Sequence, residues 1–208
     1  MKVRYLLKEI VKKNRILAWL YNVVYINFLI WKRRNVYICD NGVANVVQMP
    51  KNTYSDDLKI TFNGNNNKII IGKGCVFKQT NKIYIQGDQN VIEIGNNVIF
   101  DQNVSIVVAE GTRCFIGSGS IFANGVRIRT SDQHIICDEK GKRINLAKNV
   151  YIGNHVWLGA SVIIMKGVRI GDGSVVGIDS MVTKDVPPKS IIVGNPARVI
   201  RTNITWYE

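Results

Sequence analysis

The amino-acid sequence predicts an all-β fold, a parallel β-helix of hexapeptide repeats with an N-terminal helical segment. Three observations carry that reading. Aliphatic residues recur every six positions in the C-terminal third, a second repeat of 23 residues precedes them, and one polar stretch between the two obeys neither period.

The six-residue period runs through Ile152, Leu158, Ile164, Ile170, Val176 and Val182. Gly follows the aliphatic at 153, 159, 171 and 177, and a small or β-branched residue stands four places after it: Val156, Val162, Val168, Ser174, Ser180 and Val186. A helix repeats every 3.6 residues and an ordinary strand every two, so neither produces a strict six. Short strands joined by tight turns do. One aliphatic per face then fills a core, Gly serves the corners, and three faces make a coil of about 18 residues.

Upstream, Ile60, Ile83 and Ile106 are spaced by 23, and the stretch GNNNKIIIG at 64–72 matches GDQNVIEIG at 87–95. The spacing reads as an 18-residue coil with five extra residues in a polar Gly/Asn turn. In this register Cys75 takes a small-residue slot and Cys114 an inward one, and both read as core. With Cys39 and Cys137 they form no C-x-x-C pair, which points to free thiols in a reducing compartment.

Residues 130–149 carry charged and polar side chains with no hexad. A solenoid interrupted by one long loop tends to place its function there. The chain therefore divides into a basic amphipathic helical segment (1–35), a connecting segment (36–57), a β-helix domain (58–201) with a candidate catalytic loop at 129–149, and a C-terminal tail (202–208).

The net charge of +13 is concentrated at one end. Residues 1–35 hold nine Lys/Arg against Glu9, a net +8, which leaves +5 for the rest. That pattern argues against a nucleic-acid binder, whose basic patch would sit on the folded domain. Val3, Leu6, Leu7, Ile10 and Val11 recur at helical spacing. Such a helix either packs on the β-helix or a sister protomer, or lies on an anionic membrane surface. The apolar run 16–31 is interrupted by Asn22 and Asn27 and falls short of the roughly 20 residues that cross a bilayer. No small-residue cleavage site follows it. The expected location is cytoplasmic, with peripheral contact at the inner membrane as the sharper expectation for residues 1–35.

The residues also carry a family likeness. NVYIGNHVWLGA at 149–160, KGV at 166–168, VTKDVPP at 182–188 and GNPARVI at 194–200 resemble the hexapeptide-repeat acetyltransferases, among them the maltose, galactoside and xenobiotic acetyltransferases. SDQH at 131–134, with Asp138 and RIN at 143–145, is more similar to the branch that O-acetylates capsular and lipopolysaccharide sugars, including polysialic acid O-acetyltransferases. The likeness is close over 120–201, extends through the coil pattern back to about 58, and does not cover 1–57. It implies a left-handed coil, a homotrimer, acetyl-CoA as co-substrate, and a cell-surface glycan as acceptor. Acceptors with an amine, as in sugar or xenobiotic N-acetylation, belong to the same fold, and a non-catalytic glycan-binding scaffold is the reading from another class.

His134 is the candidate base. An alcohol loses its proton as it attacks a thioester, and imidazole is the side chain suited to accept one near neutral pH. His134 lies off the hexad register, so it fills no core slot, and the resemblance places the family's catalytic histidine there. Asp132 or Asp138 is the candidate to orient its ring. His155, inside a hexad, reads as structural, and two histidines cannot build a three-histidine zinc site, so no metal is expected. The resemblance further implies that Trp157 lines the acetyl-CoA groove near the thioester. Gly159 and Ala160 would leave room for the pantetheine, and Ser180, Thr183 and Lys184 would run along the CoA arm. Arg198 and Arg201 would meet its phosphates. Ile178 departs from the small residue usual at its position. No Gly-rich phosphate loop is present, so ATP and NAD are not indicated.

Overall fold

A computed structural model describes residues 34–51 and 53–208. The helical segment and membrane contact expected for 1–35 lie outside the described residues, apart from the last two, which already belong to a strand, Arg34–Asp40.

Among the described residues there is no helix; the architecture is a solenoid of parallel strands. Its first face stacks Tyr54–Asn63, Asn81–Gln86, Ser105–Ala109, Arg127–Arg129, Ile163–Ile164 and Met181–Val182. The second stacks Val76–Phe77, Ile99–Phe100, Ile121–Phe122, Trp157–Leu158, Val175–Val176 and Ile191–Gly194. The third runs from Val46–Gln48 through Lys68–Ile71, Val91–Ile94, Arg113–Ile116 and Val150–Ile152 to Arg169–Ile170. Tyr54–Asn63 serves two faces, pairing through Tyr54 and Ser55 with Val76 and Phe77 and from Leu58 onward with Asn81–Gln86. The last strand, Ala197–Arg201, turns back antiparallel on Ile191–Gly194.

The core is three inward ladders, one per face. Ile60, Ile83, Ile106, Ile128, Ile164 and Val182 stack on the first, and Ile71, Ile94, Ile116, Ile152 and Ile170 on the third. On the second face Phe77, Phe100 and Phe122 stack with centroids 4.6 and 4.8 Å apart before Leu158 and Val176 continue the column. All six aliphatics of the six-residue period are buried, each such side chain contributing about 1.5–3 kcal/mol of transfer free energy. Cys75 and Cys114 are buried in the same core, and burial pushes the Cys114 thiol up to about 12.

The corners explain the recurring Gly and Asn. A Cβ on Gly153 would lie 2.2 Å from Asp172 Oδ1 and 2.8 Å from its amide, so successive coils approach too closely there for a side chain. At another corner the side-chain carbonyl of Asn45 accepts from the Asn67 amide, that of Asn67 from Asn90, and that of Asn90 from Thr112. The amides of a tight turn are thus satisfied out of water.

Two expectations need correction. The extra residues of the 23-residue coils do not all sit in the turn. They lengthen the first face, adding the pairs Tyr84–Val107, Ile85–Val108 and Gln86–Ala109. Burying Ile85 and Val108 in the same core is the physical reason. The connecting segment 36–57 is also largely strand, because Val46–Gln48 pairs with Lys68–Ile71 and Arg34–Asp40 with Tyr54–Asn63. The coil starts well before residue 58.

Candidate active site

The polar stretch leaves the solenoid after Arg127–Arg129 on the first face and rejoins it at Val150–Ile152 on the third. It folds as a small hairpin, with Ile144 N–H donating to Ile136 O at 2.9 Å and a bridge between Cys137 and Arg143. Asp138 closes the hairpin turn. Its Oδ1 accepts the amides of Lys140 (3.0 Å) and Lys142 (2.9 Å). Asp138 is therefore committed to the backbone and does not orient His134.

Asn145 is the hub of the loop. Buried, it donates from Nδ2 to the His134 carbonyl (2.7 Å) and to Asp132 Oδ2 (2.9 Å), and its Oδ1 accepts the Ile136 amide (2.8 Å). Asp132 Oδ2 also meets Lys166 Nζ at 2.5 Å, and Lys166 donates to Asn145 O at 3.0 Å. The Lys166 ammonium, then the Asn145 amide, hold the Asp132 carboxyl below the usual carboxylate range. A second anchor joins Glu110 to Arg143 (2.6 Å) and to the Ser131 hydroxyl. Arg143 foremost, then Ser131, lowers the Glu110 pKa.

His134 is exposed on this scaffold, its backbone fixed and its ring without a hydrogen bond among the described residues. Neither expected Asp holds its ring, since Asp132 is engaged by Lys166 and Asn145. Asp132 instead acts on the loop backbone that carries the histidine. Beside it lies a cavity of about 340 Å³ lined by Gln86, Ala109, Glu110, Gln133, Ile135 and Arg143. His155 is structural: its ring stacks on Trp206 at 3.9 Å, Nε2 lies 3.1 Å from Trp206 O, and Trp206 Nε1 donates to His155 O at 3.0 Å.

The expected CoA residues divide. Trp157 is exposed on the second face, 6.0 Å from Trp206 between ring centroids, and Ala160 is half-buried at the corner after it. Gly159 is buried, and a Cβ there would meet Ile178 N at 2.8 Å, so coil stacking accounts for this glycine. Ser180 is fully buried, its hydroxyl accepting from the Gly194 amide at 3.0 Å and donating to Ile178 O at 3.5 Å, so it is engaged within the coil. Thr183 and Lys184 are exposed at the far edge of the first face, the edge from which the His134 loop springs. Arg198 and Arg201 are exposed on the terminal hairpin. One chain thus brings His134, Thr183 and Lys184 to one edge of the first face and Trp157 and Ala160 to the other.

Sequence reasoning missed Asn145, Lys166 and Glu110 as anchors and Trp206 as the partner of His155. Asn145 and Lys166 stood inside quoted motifs without a role. Glu110 and Trp206 carried no local signal.

A solenoid of six-residue repeats with one looped-out, histidine-bearing segment defines a class, the hexapeptide-repeat transferases. Residues 149–184 match the family described as Bacterial transferase hexapeptide (six repeats). The polySia specific acetyltransferase NeuO is 34% identical in its crystal structure, with a TM-score of 0.64 over 85% of this chain and 90% of that one. The polysialic acid O-acetyltransferase OatWY is 30% identical, with a TM-score of 0.70 over 82% and 91%. The chain belongs to the hexapeptide-repeat acetyltransferase family. Among curated relatives, galactoside O-acetyltransferase of Lactococcus lactis subsp. lactis (strain IL1403) is 38% identical over 48% of this chain and 48% of that protein. Polysialic acid O-acetyltransferase of Escherichia coli O1:K1 / APEC is 41% identical over 48% of this chain and 33% of its own length. The matches therefore span half or less of these curated relatives.

Proposed function

We propose that the protein is an acetyl-CoA-dependent O-acetyltransferase acting on a sugar hydroxyl of a capsular, lipopolysaccharide or related cell-surface glycan. The observation that carries the proposal is the anchored loop. It holds an exposed histidine between Gln133 and Ile135, which line a cavity, in a family whose relatives are named acetyltransferases.

In this reading the acceptor hydroxyl enters the cavity and gives its proton to the His134 ring. The oxygen attacks the thioester carbon, the C–S bond breaks, and the proton passes on to the leaving thiolate to give CoA. No covalent acyl-enzyme is required, because the hydroxyl attacks the thioester directly; Cys75 and Cys114 are buried with raised thiol pKa values, while Cys39 and Cys137 are exposed. Trp157 and Ala160 would flank the acetyl-CoA, with Thr183, Lys184, Arg198 and Arg201 along its polar arm. Because Trp157 and His134 sit at opposite edges of the first face, a site using both takes one edge from each of two copies. A left-handed homotrimer, as the family implies, supplies that arrangement. Ile135, Ile136, Ile144 and Leu146, all exposed on the loop, suit burial against the neighbouring copy.

The test incubates the purified full-length chain with acetyl-CoA and a panel of glycans, reading CoA release and product mass. His134→Ala should lower kcat on the order of 10²–10⁴-fold with acetyl-CoA affinity nearly intact, and His155→Ala should lower it far less. Equal losses would remove His134 from the role of base, and a product that survives mild alkali would assign an amide in place of an ester.

A further inference from the structure

The third face carries a groove that the proposed transfer does not use. Its outward positions form a column down the solenoid: Glu93 pairs with Phe115, Phe115 with Tyr151, and Tyr151 with Arg169. Asp185 continues the column, its Oδ1 accepting the Arg169 amide at 2.8 Å. A strand with one side in a core ordinarily turns polar side chains to solvent. Here two aromatic rings take that side, and Phe115 is 39% exposed.

The glycines that coil stacking demands make the floor. A Cβ on Gly117 would lie 2.4 Å from Gly153 C, and one on Gly171 would lie 2.4 Å from Pro188 N. Beside these bare positions opens a cavity of about 590 Å³, whose lining includes Phe115, Tyr151, Gly153, Arg169, Asp185 and Pro187. From Phe115 to Asp185 it crosses three rungs, roughly 14 Å at about 4.8 Å each.

The wall is fixed in place. Arg169 Cζ lies 4.0 Å over the centroid of the Tyr151 ring, and the Tyr151 hydroxyl accepts from Asn149 Nδ2 at 3.1 Å. Arg169 is exposed, and among the described residues its guanidinium enters no ion pair. Arg169 and Asp185 are the charged residues of the lining, and they cancel, so the groove has no preference for an anion. A peptide adding itself as a strand needs unpaired backbone amides. Those of the floor are already used, Gly153 N donating to Ile170 O and Gly171 N to Val186 O, both at 2.9 Å. An open ring beside one donor fork and one carboxylate acceptor suits a ligand with an apolar face and a rim of hydroxyls.

We propose that this groove binds a neutral oligosaccharide: one sugar ring stacks on Phe115, and hydroxyls of the next meet the Arg169 guanidinium and the Asp185 carboxylate. Tyr151 stands in Val150–Ile152, the strand at which the His134 loop rejoins the solenoid, so a glycan held here lies beside the loop's return. The groove then retains a long acceptor between transfers. That role rests on the O-acetyltransferase reading, while the binding does not.

The experiment titrates the full-length protein, without acetyl-CoA, with maltohexaose, cellohexaose, mannohexaose and polygalacturonate by calorimetry at low and high salt. At least one neutral hexaose should bind, at least fivefold more tightly than polygalacturonate, with an affinity that salt leaves within about twofold. Phe115→Ala should lower that affinity at least tenfold and Arg169→Leu at least threefold, while Phe115→Trp retains it, each folded by circular dichroism. Trp157→Ala removes an exposed ring from the second face and should bind as the unsubstituted protein does. No binding of any hexaose, equal or tighter binding of polygalacturonate, full affinity in Phe115→Ala, or equal loss in Trp157→Ala would each overturn the proposal. So would a smaller assembly by light scattering in Phe115→Ala, which would make the groove a contact between copies of the chain. In acetylation assays Phe115→Ala should raise KM for a polymer of the preferred sugar at least threefold with kcat within about twofold, and an unchanged KM would remove the retaining role. Phe115-dependent binding in a protein that acetylates nothing would sink the enzymatic reading and leave the groove standing. Acetylation by a protein that binds no hexaose would do the reverse.

Discussion

At the scale of single residues, the two histidines show how far local chemistry can be read. His155 falls in a hexad, and the structure gives it a structural partner; His134 falls off the hexad, and the structure leaves it exposed on an anchored backbone. The partner itself, Trp206, lies 51 residues from His155 in sequence, so no spacing rule could reveal it. Trp206, in the C-terminal tail, is buried and stands 6.0 Å from Trp157 between ring centroids. It is a positioning residue for the ring proposed to flank acetyl-CoA. Trp206→Ala should therefore raise KM for acetyl-CoA roughly three- to tenfold with kcat held within about twofold, the pattern of lost ground-state binding. Trp206→Phe keeps a stacking ring on His155 and should recover most of the affinity. A purely stabilising role predicts a lower melting temperature in Trp206→Ala and unchanged kinetics in the surviving folded protein.

At the scale of elements, the coil and the position of the loop were legible, and the contacts that anchor the loop were not. Six aliphatics at one phase can fill a core only if each turn of chain is short, and all six are buried. The five extra upstream residues were misplaced because Gly and Asn mark turns so strongly. The alternation Ile83, Tyr84, Ile85, Gln86, which marks a strand, was the signal that decided the matter. The loop's anchors escaped for another reason: Asp132 meets Lys166, 34 residues on, and Arg143 meets Glu110, 33 residues back. Those ion pairs set a pH dependence. Both carboxyls titrate below the ordinary carboxylate range, Asp132 held there by Lys166 and Glu110 by Arg143. Groups with lowered folded pKa stabilise fully above the ordinary value, and the contribution is lost as pH falls through the lowered one. Hydrogen exchange of the amides in 131–145 should therefore stay protected from pH 7 down to about 4 and lose protection below it. Asp132→Asn removes one pair and should expose the same amides at neutral pH.

At the scale of the whole molecule, the decisive fact is that the first face separates the two halves of the proposed site. The His134 loop, Thr183 and Lys184 border one edge, and Trp157 and Ala160 border the other, with Ile163–Ile164 and Met181–Val182 between them. The proposed shared site assigns the two edges to two neighbouring copies. Closed rotational symmetry places the opposite edges of neighbouring copies against each other. Complementation tests this directly. His134→Ala and Trp157→Ala proteins, each deficient by itself, are co-expressed in equal amounts so that their subunits mix. Each site then draws its histidine from one copy and its tryptophan from the next, each intact with a chance of about one half, so about a quarter of normal activity should return if assembly is random. A site contained in one chain would always carry one defect or the other, and mixing would restore nothing. Mixing the two proteins after separate purification should also restore little at first and more as subunits exchange, which ties the recovered activity to shared sites.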